Sequence, residues 1–169
     1  MCDREMEVFN VRLLYTKPKL YDLSQGSRIA FARQFRMMSQ DTLANKLGIT
    51  GECKRRTVTR YEKGNRNPKE DRTKEIANIL SINYNAIKKY DYKNPNDIIY
   101  ILMWLEELIP NYVIDMSKVV KVDDTYMHFV IKGISEWNIM RNKRLKREIS
   151  YEEYIEWKLN YELEMIYER

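Results

Sequence analysis

Ser39-Gln40-Asp41-Thr42-Leu43-Ala44-Asn45-Lys46-Leu47-Gly48-Ile49-Thr50, with Thr57-Val58-Thr59-Arg60-Tyr61-Glu62-Lys63-Gly64 after it, is the stretch whose reading decides the fold. Ser39 is a strong N-cap, because a serine hydroxyl accepts from the free N–H groups of a first helical turn. Gln40–Leu47 then reads as a helix with Leu43, Ala44 and Leu47 on one side. Gly48 ends it, since glycine accepts the left-handed conformation of a helix C-cap. A third helix reaches Lys63 with Val58 and Tyr61 inward, and Gly64 stops it. Upstream, Ser27–Met38 repeats Ile29, Ala32 and Phe35 at close to one helical turn. Downstream, Asn67-Pro68-Lys69-Glu70 opens a fourth helix with a cap residue, a first-turn proline and an acid at the third position. Ile76, Ala77 and Leu80 form its apolar face, and Asn83–Tyr90 reads as a short fifth helix. Ile29, Leu43, Val58, Tyr61 and Ile76 are the expected core.

Five short helices with a glycine turn between the second and third resemble the lambda repressor and Cro family, also called the XRE family. The resemblance rests on Ser39-Gln40-x-x-Leu43-Ala44-x-x-Leu47-Gly48-Ile49-Thr50, on Thr57-Val58-x-Arg60-Tyr61-Glu62-x-Gly64-x-Arg66-x-Pro68, and on Ile76-Ala77-x-x-Leu80. It implies a helix-turn-helix domain whose third helix lies in the major groove of duplex DNA, where its N-terminal side chains meet base edges. One departure stands out. Between Thr50 and Thr57 lie the six residues Gly51–Arg56, where common members of the family have a shorter turn. Either the turn is longer here, or the recognition helix starts one turn earlier.

By that resemblance Arg55 and Arg56 lie where such proteins read bases, with Thr57 beside them and Arg60 one turn on. Arginine donates two hydrogen bonds to a guanine edge. Thr59 suits a phosphate or a thymine methyl. Gln40 matches a position that touches a phosphate at the start of the second helix, where the helix dipole favours an anion. Lys54, Arg66 and Lys69 are expected to hold phosphates and position the helix.

Charge divides the chain where the motifs do. Residues 17–93 carry 18 Lys and Arg against 8 Asp and Glu, whereas residues 94–169 carry 10 against 14. A basic part joined to an acidic part points to a polyanionic partner for the first. Other function classes find little support. The longest apolar run, Ile98–Leu105, is far short of a membrane span, and the N-terminus has no signal-like stretch. A cytoplasmic protein is expected, with no membrane association. Cys2 and Cys53 lack metal-site spacing, His128 is the single histidine, and no glycine-rich phosphate loop is present. No enzyme activity, cofactor or metal is therefore expected.

The chain divides into three segments: an N-terminal arm over 1–22, in which Val8, Val11, Leu14 and Tyr15 suit a short amphipathic helix; a DNA-binding domain over 23–91; and a C-terminal domain over 92–169. In the last, Asn94-Pro95-Asn96-Asp97 caps a helix apolar around most of its circumference. Tyr112–Met116, Val119–Val122 and Thr125–Ile131 read as a small antiparallel β-ribbon. Gly133 begins a basic helix with Trp137 and Met140, and Ser150-Tyr151-Glu152-Glu153 is a capping box for the last helix. The expected fold is thus mainly α: a five-helix lambda-repressor-like domain plus a small α+β domain. The last helix shows a wide face of Tyr154, Ile155, Trp157, Leu159, Tyr161, Leu163 and Ile166, expected to serve a homodimer or a protein partner. The leading expectation is a sequence-specific regulator of transcription, a repressor of phage or mobile-element type. The alternative is an antitoxin or a phage nuclease inhibitor, whose acidic half binds a protein while the helix-turn-helix regulates its own gene.

Overall fold

The computed structural model describes residues 17–109 and 124–165. Among them are eight helices and no strand: α1 (Gln25–Phe35), α2 (Gln40–Lys46), α3 (Lys54–Glu62), α4 (Glu70–Leu80), α5 (Tyr84–Ile87), α6 (Pro95–Leu108), α7 (Thr125–Leu145) and α8 (Tyr151–Asn160).

Local chemistry explains most of the boundaries. The side chains of Ser24, Ser39, Asn83, Asn94, Asp124 and Ser150 each accept from a first-turn N–H of the adjoining helix. Ser150 and Glu153 complete the capping box. The fourth helix starts later than its sequence suggests. Pro68 is buried ahead of it, Lys69 is the N-cap without a side-chain bond, and Glu70 and Asp71 fill the first turn. Proline holds the residue before it extended, so Asn67 lies outside the helix rather than capping it.

α1 packs on α3 and α5, α2 on α3 and α4, and α6 on α7. Ile29, Leu43, Val58 and Ile76 are fully buried and Tyr61 is nearly so. Two glycines set helix spacing. A Cβ on Gly26 would lie 2.3 Å from the Tyr61 carbonyl oxygen, and one on Gly133 would lie 2.7 Å from Ile99 Cγ1. The first lets α1 meet the end of α3. The second lets α7 press on α6.

The expected β-ribbon is overturned. Thr125–Ile131 forms the opening turns of α7, while Tyr112–Met116 and Val119–Val122 fall outside the described residues. Tyr126 to Ile131 is rich in β-branched and aromatic residues, which suits a strand by composition. Yet Phe129, Val130, Gly133, Ile134 and Trp137 are all buried, a helical rather than an alternating period. Packing on α6 overrides propensity. Gly133 is therefore a packing residue inside α7 and not its start, and His128 sits exposed on a helix. The described C-terminal half is all-helical, not α+β. The candidate N-terminal helix at Val8–Tyr15 also lies outside the described residues. No helix among the described residues is long and apolar enough to cross a membrane.

The wide face of α8 turns inward. Tyr154, Ile155, Leu159, Tyr161 and Leu163 are buried and Trp157 is half-buried, within the chain's own core. Ile166 lies outside the described residues. Beneath this face α6 contributes two carboxylates. Glu106 accepts from Tyr154 Oη (2.6 Å), Lys158 Nζ (3.0 Å) and Arg141 Nε (2.8 Å), and Glu107 from Lys158 Nζ (2.9 Å) and Tyr151 Oη (3.0 Å). The apolar residues of both halves form one continuous core, with Phe31 of α1 edge-on to Trp104 of α6 at 5.2 Å.

Gly26→Ala is expected to lower stability by about 3 kcal/mol, because backbone oxygens cannot move aside as a flexible side chain can. Gly48→Asn, at a left-handed position with open space around it, should cost roughly 1 kcal/mol or less. Urea unfolding of the two variants checks this. A second expectation concerns acid. Burial pushes the Glu106 carboxyl upward, but the Lys158 charge and the bonds from Tyr154, Lys158 and Arg141 outweigh it and hold the group below the ordinary range. A carboxyl depressed in the folded state stabilises above its unfolded pKa, and that contribution is lost as pH falls through the folded value. Glu106→Gln should lower the midpoint at neutral pH and flatten the loss of stability on acidification, as read by urea midpoints along a pH series.

Candidate nucleic-acid interface

α3 is the element to which the sequence assigns base reading, and its two sides differ sharply. Val58 and Tyr61 point into the core. At ~100° per residue, the opposite arc carries Arg55, Arg56, Thr59, Arg60 and Lys63. The four cations are exposed and Thr59 is half-buried. Thr57 lies half-buried on the flank, and Lys54, also half-buried, shares the side of Val58 and Tyr61 at the open end of the helix. The helix starts at Lys54, one turn before Thr57, so the extra residues extend the helix as well as the turn. The turn passes through Gly48 and Gly51, both at positive φ (66° and 92°).

The start of α3 is an electrostatic anomaly. Its N-cap, Cys53, makes no side-chain bond, and its first turn holds no acid. Lys54, Arg55 and Arg56 occupy that turn instead, at the positive end of the helix dipole, where cations destabilise. An anion placed against this turn would relieve the repulsion, although the Lys54 and Arg56 N–H groups already donate to the Gly51 and Cys53 carbonyls.

Behind this arc lies a polar network that joins three helices. Gln40 Oε1 accepts from Arg55 Nε and from Thr59 Oγ1, each at 3.2 Å. Gln40 Nε2 donates to Glu62 Oε2 at 2.7 Å. Glu62 takes both Nε and Nη2 of Arg33, at 2.5 and 3.0 Å, and Arg33 Nη1 donates to the Met38 carbonyl at 2.6 Å. Arg33 and Glu62 are 11% and 7% exposed at their side chains, so the pair is shielded from solvent. α1, α2 and α3 are thereby held at one relative orientation. Arg55 lies 3.8 Å from Asp41 as well, which draws it toward α2.

The structure thus brings Gln40, Arg55 and Thr59 into direct contact and sets Arg56 and Arg60 on one side of α3, a turn apart. Arg66 and Lys69 lie beyond the C-terminal end of α3, both exposed, with the Arg66 guanidinium 6.0 Å from the Tyr61 ring. Sequence reasoning missed three contributors. Lys63 completes the exposed arc, four residues after Thr59, and its position on the helix was a sufficient signal. Arg33 and Glu62 orient the site without lying on its surface. An arginine amid the apolar residues of α1 was the trace of the first, and Glu62 stood in the quoted motif without a role.

Residues 26–91 match the family model of a helix-turn-helix domain. The matched segment runs from within α1 to just past α5, and α2, the turn through Gly48 and Gly51, and α3 are its helix, turn and helix. No curated protein and no solved structure matches the chain.

Removing one member of a buried pair leaves an uncompensated charge, so Arg33→Met and Glu62→Leu are each expected to cost about 3–5 kcal/mol. The double variant leaves neither charge behind, and should be more stable than the sum of the two losses by about 1–3 kcal/mol. Urea unfolding of the four-member cycle measures this coupling. Strict additivity would show that the pair does not hold α3 in place.

Proposed function

We propose that this protein is a sequence-specific, double-stranded DNA-binding regulator of transcription, a repressor of the lambda repressor and Cro type, with α3 as its reading helix. The observation that carries this is the exposed arc of Arg55, Arg56, Thr59, Arg60 and Lys63 on an uncapped, acid-free helix start, inside a segment that matches a helix-turn-helix domain. A helix of this kind fits a major groove, and arginine is the side chain best suited to a guanine edge. Arg56 and Arg60 are assigned to base edges. Arg55, already bonded to Gln40, is assigned to the groove wall together with Thr57 and Thr59. Lys54, Lys63, Arg66 and Lys69 are assigned to phosphates, which fix register without reading sequence. Gln40 reaches a phosphate only by exchanging one of its bonds to α3. Pairing through α8 forms no part of the proposal, since its apolar face lies within the chain.

Selection from random duplexes with the full-length chain is expected to return a defined site. On that site log affinity should fall linearly with log salt, as counterions leave the phosphates. Arg56→Ala should cost roughly 1–3 kcal/mol there and relax preference at one base pair, whereas Lys69→Ala should weaken all sequences about equally. Electrophoretic shift or fluorescence anisotropy reads both. Affinity that is flat with salt, or Arg56→Ala affecting chosen and random DNA alike, would overturn the assignment of α3 to the groove.

A further inference from the structure

Away from α3 the surface changes character around Trp157. One groove, about 820 Å³, is lined by Phe35, Arg36, Met37, Glu152, Glu156 and Trp157 among others. A second, about 580 Å³, is lined by Glu136, Ile139, Met140, Trp157, Glu162 and Glu164 among others. Trp157 and Asn160 line both, so the two adjoin. Three features of this trough point to its occupant.

The first is charge. Six carboxylates line it (Glu152, Glu153, Glu156, Glu136, Glu162 and Glu164). Glu153 closes the α8 capping box, and Glu136 accepts from Tyr161 Oη and lies 4.0 Å from Lys132, so the open charge rests mainly on Glu152, Glu162 and Glu164. The cation among the lining residues is Arg36. That guanidinium is already engaged. It bonds to both carboxylate oxygens of Glu156 and to the carbonyls of Leu80 and Ser81. The second is aromatic geometry. The Trp157 indole is nearly parallel to the Tyr154 ring, at 11° and 6.3 Å, and tilted against Tyr161 at 5.1 Å. It is the middle ring of the run and the one that reaches the surface, half-buried between two buried tyrosines, with carboxylates on either side. A ring face flanked by carboxylates attracts a guanidinium or ammonium group through both its quadrupole and the neighbouring charge. The third is exposed apolar area on the walls: Met37 is 63% and Ile139 58% exposed.

From these features we infer that the trough is a docking site for a cationic, amphipathic peptide segment of a protein partner. An arginine or lysine of that segment lies on Trp157 between the carboxylates, and its apolar side chains cover Met37 and Ile139. Nucleic acid is repelled by this rim, so the site serves a partner of a different class from the one proposed for α3. The inference does not depend on the DNA reading, and its test contains no DNA.

The experiment uses the full-length protein and a panel of synthetic peptides: an Arg/Leu amphipathic helix, the same peptide with Glu for Arg, and the same with Ala for Leu. Trp104 and Trp137 are buried, so a change in tryptophan emission reports mainly on Trp157. Saturable binding of the Arg/Leu peptide in the micromolar range is expected, about ten-fold or more tighter than either control. The double variant Glu162→Lys with Glu164→Lys, two exposed positions beyond the end of α8, should keep the wild-type unfolding midpoint and lose that binding. Trp157→Phe, which removes that emission signal, is read instead by the anisotropy of a fluorophore-labelled Arg/Leu peptide, and should bind it more weakly and retain the fold. Equal binding of the acidic and basic peptides, no binding by any peptide, or binding that survives the charge reversals would overturn the inference. So would concentration-dependent self-association, seen by light scattering and abolished by the same charge reversals, because it would assign the trough to a second copy of this chain.

Discussion

The backbone carbonyl of Ala86, near the end of the one-turn helix α5, accepts from Arg28 Nη1, Tyr90 Oη and Trp104 Nε1, each at 3.1 Å. A helix this short cannot satisfy its own carbonyls, so donors must come from elsewhere. Arg28 belongs to α1 and Trp104 to α6, so this one oxygen ties the basic half to the acidic half. Arg28 depends on it in turn. Arg28 is 2% exposed, bonds also to the Lys88 carbonyl at 2.8 Å, and lies 3.8 Å over the Tyr90 ring. A buried guanidinium without these acceptors would be strongly unfavourable. The geometry of α1, α5 and α6 is therefore set as a unit.

α1 extends the same logic along its length. Its arginines and the one that caps it reach three different places: Arg28 to the end of α5, Arg33 to Glu62 of α3, and Arg36 to the α4 end and Glu156 of α8. None of the three is a surface cation available to a polyanion. Lys88 is likewise held by Asp97, at 2.8 Å, and Arg72 by the Leu47 carbonyl and Glu75. The positive excess of residues 17–93 thus overstates the charge offered to a partner. The remaining cationic surface is concentrated on α3 and just beyond it. That concentration argues for a nucleic-acid surface better than the total did.

The helical frame of the basic half was legible because its signals are local. Ser39, Gly48 and Gly64 act within a turn of where they stand, and the spacing of Leu43, Ala44, Val58 and Tyr61 is a backbone property. The fourth helix start misled because Asn67 and Pro68 satisfy a capping pattern that Lys69, in extended conformation, displaces. In the C-terminal half the deciding information is tertiary. Whether Tyr126–Ile131 is strand or helix depends on the packing of α7 against α6, where a Cβ on Gly133 would lie 2.7 Å from Ile99 Cγ1. Whether the α8 face is a core or an interface depends on α6 lying opposite it with Glu106 and Glu107. A wide aromatic stripe has the same pattern in either case. At the candidate site the cations were legible individually, but their orientation was not, because it is set by Arg33 and Glu62, 29 residues apart in sequence.

The shared core changes what α3 depends on. α3 packs on α1 and α2, and α1 is anchored at Arg28 and Arg36 to elements of the acidic half. The orientation of α3 is thus referred, through α1, to α5, α6 and α8. A domain with its own complete core could do without the chain beyond it. Here Phe31, a core residue of α1, is packed edge-on against Trp104 of α6, and the N–H of Asn83 donates to the carbonyl of Leu159 in α8. Cutting the chain between residues 91 and 92 would expose Phe31 and leave Arg28 with one fewer neighbour sharing its carbonyl. It would also free Arg36 from Glu156. The acidic half is then part of the mechanical support of the basic surface, and a change in the packing of α8 has a physical route, through Arg36 and α1, to the pose of α3.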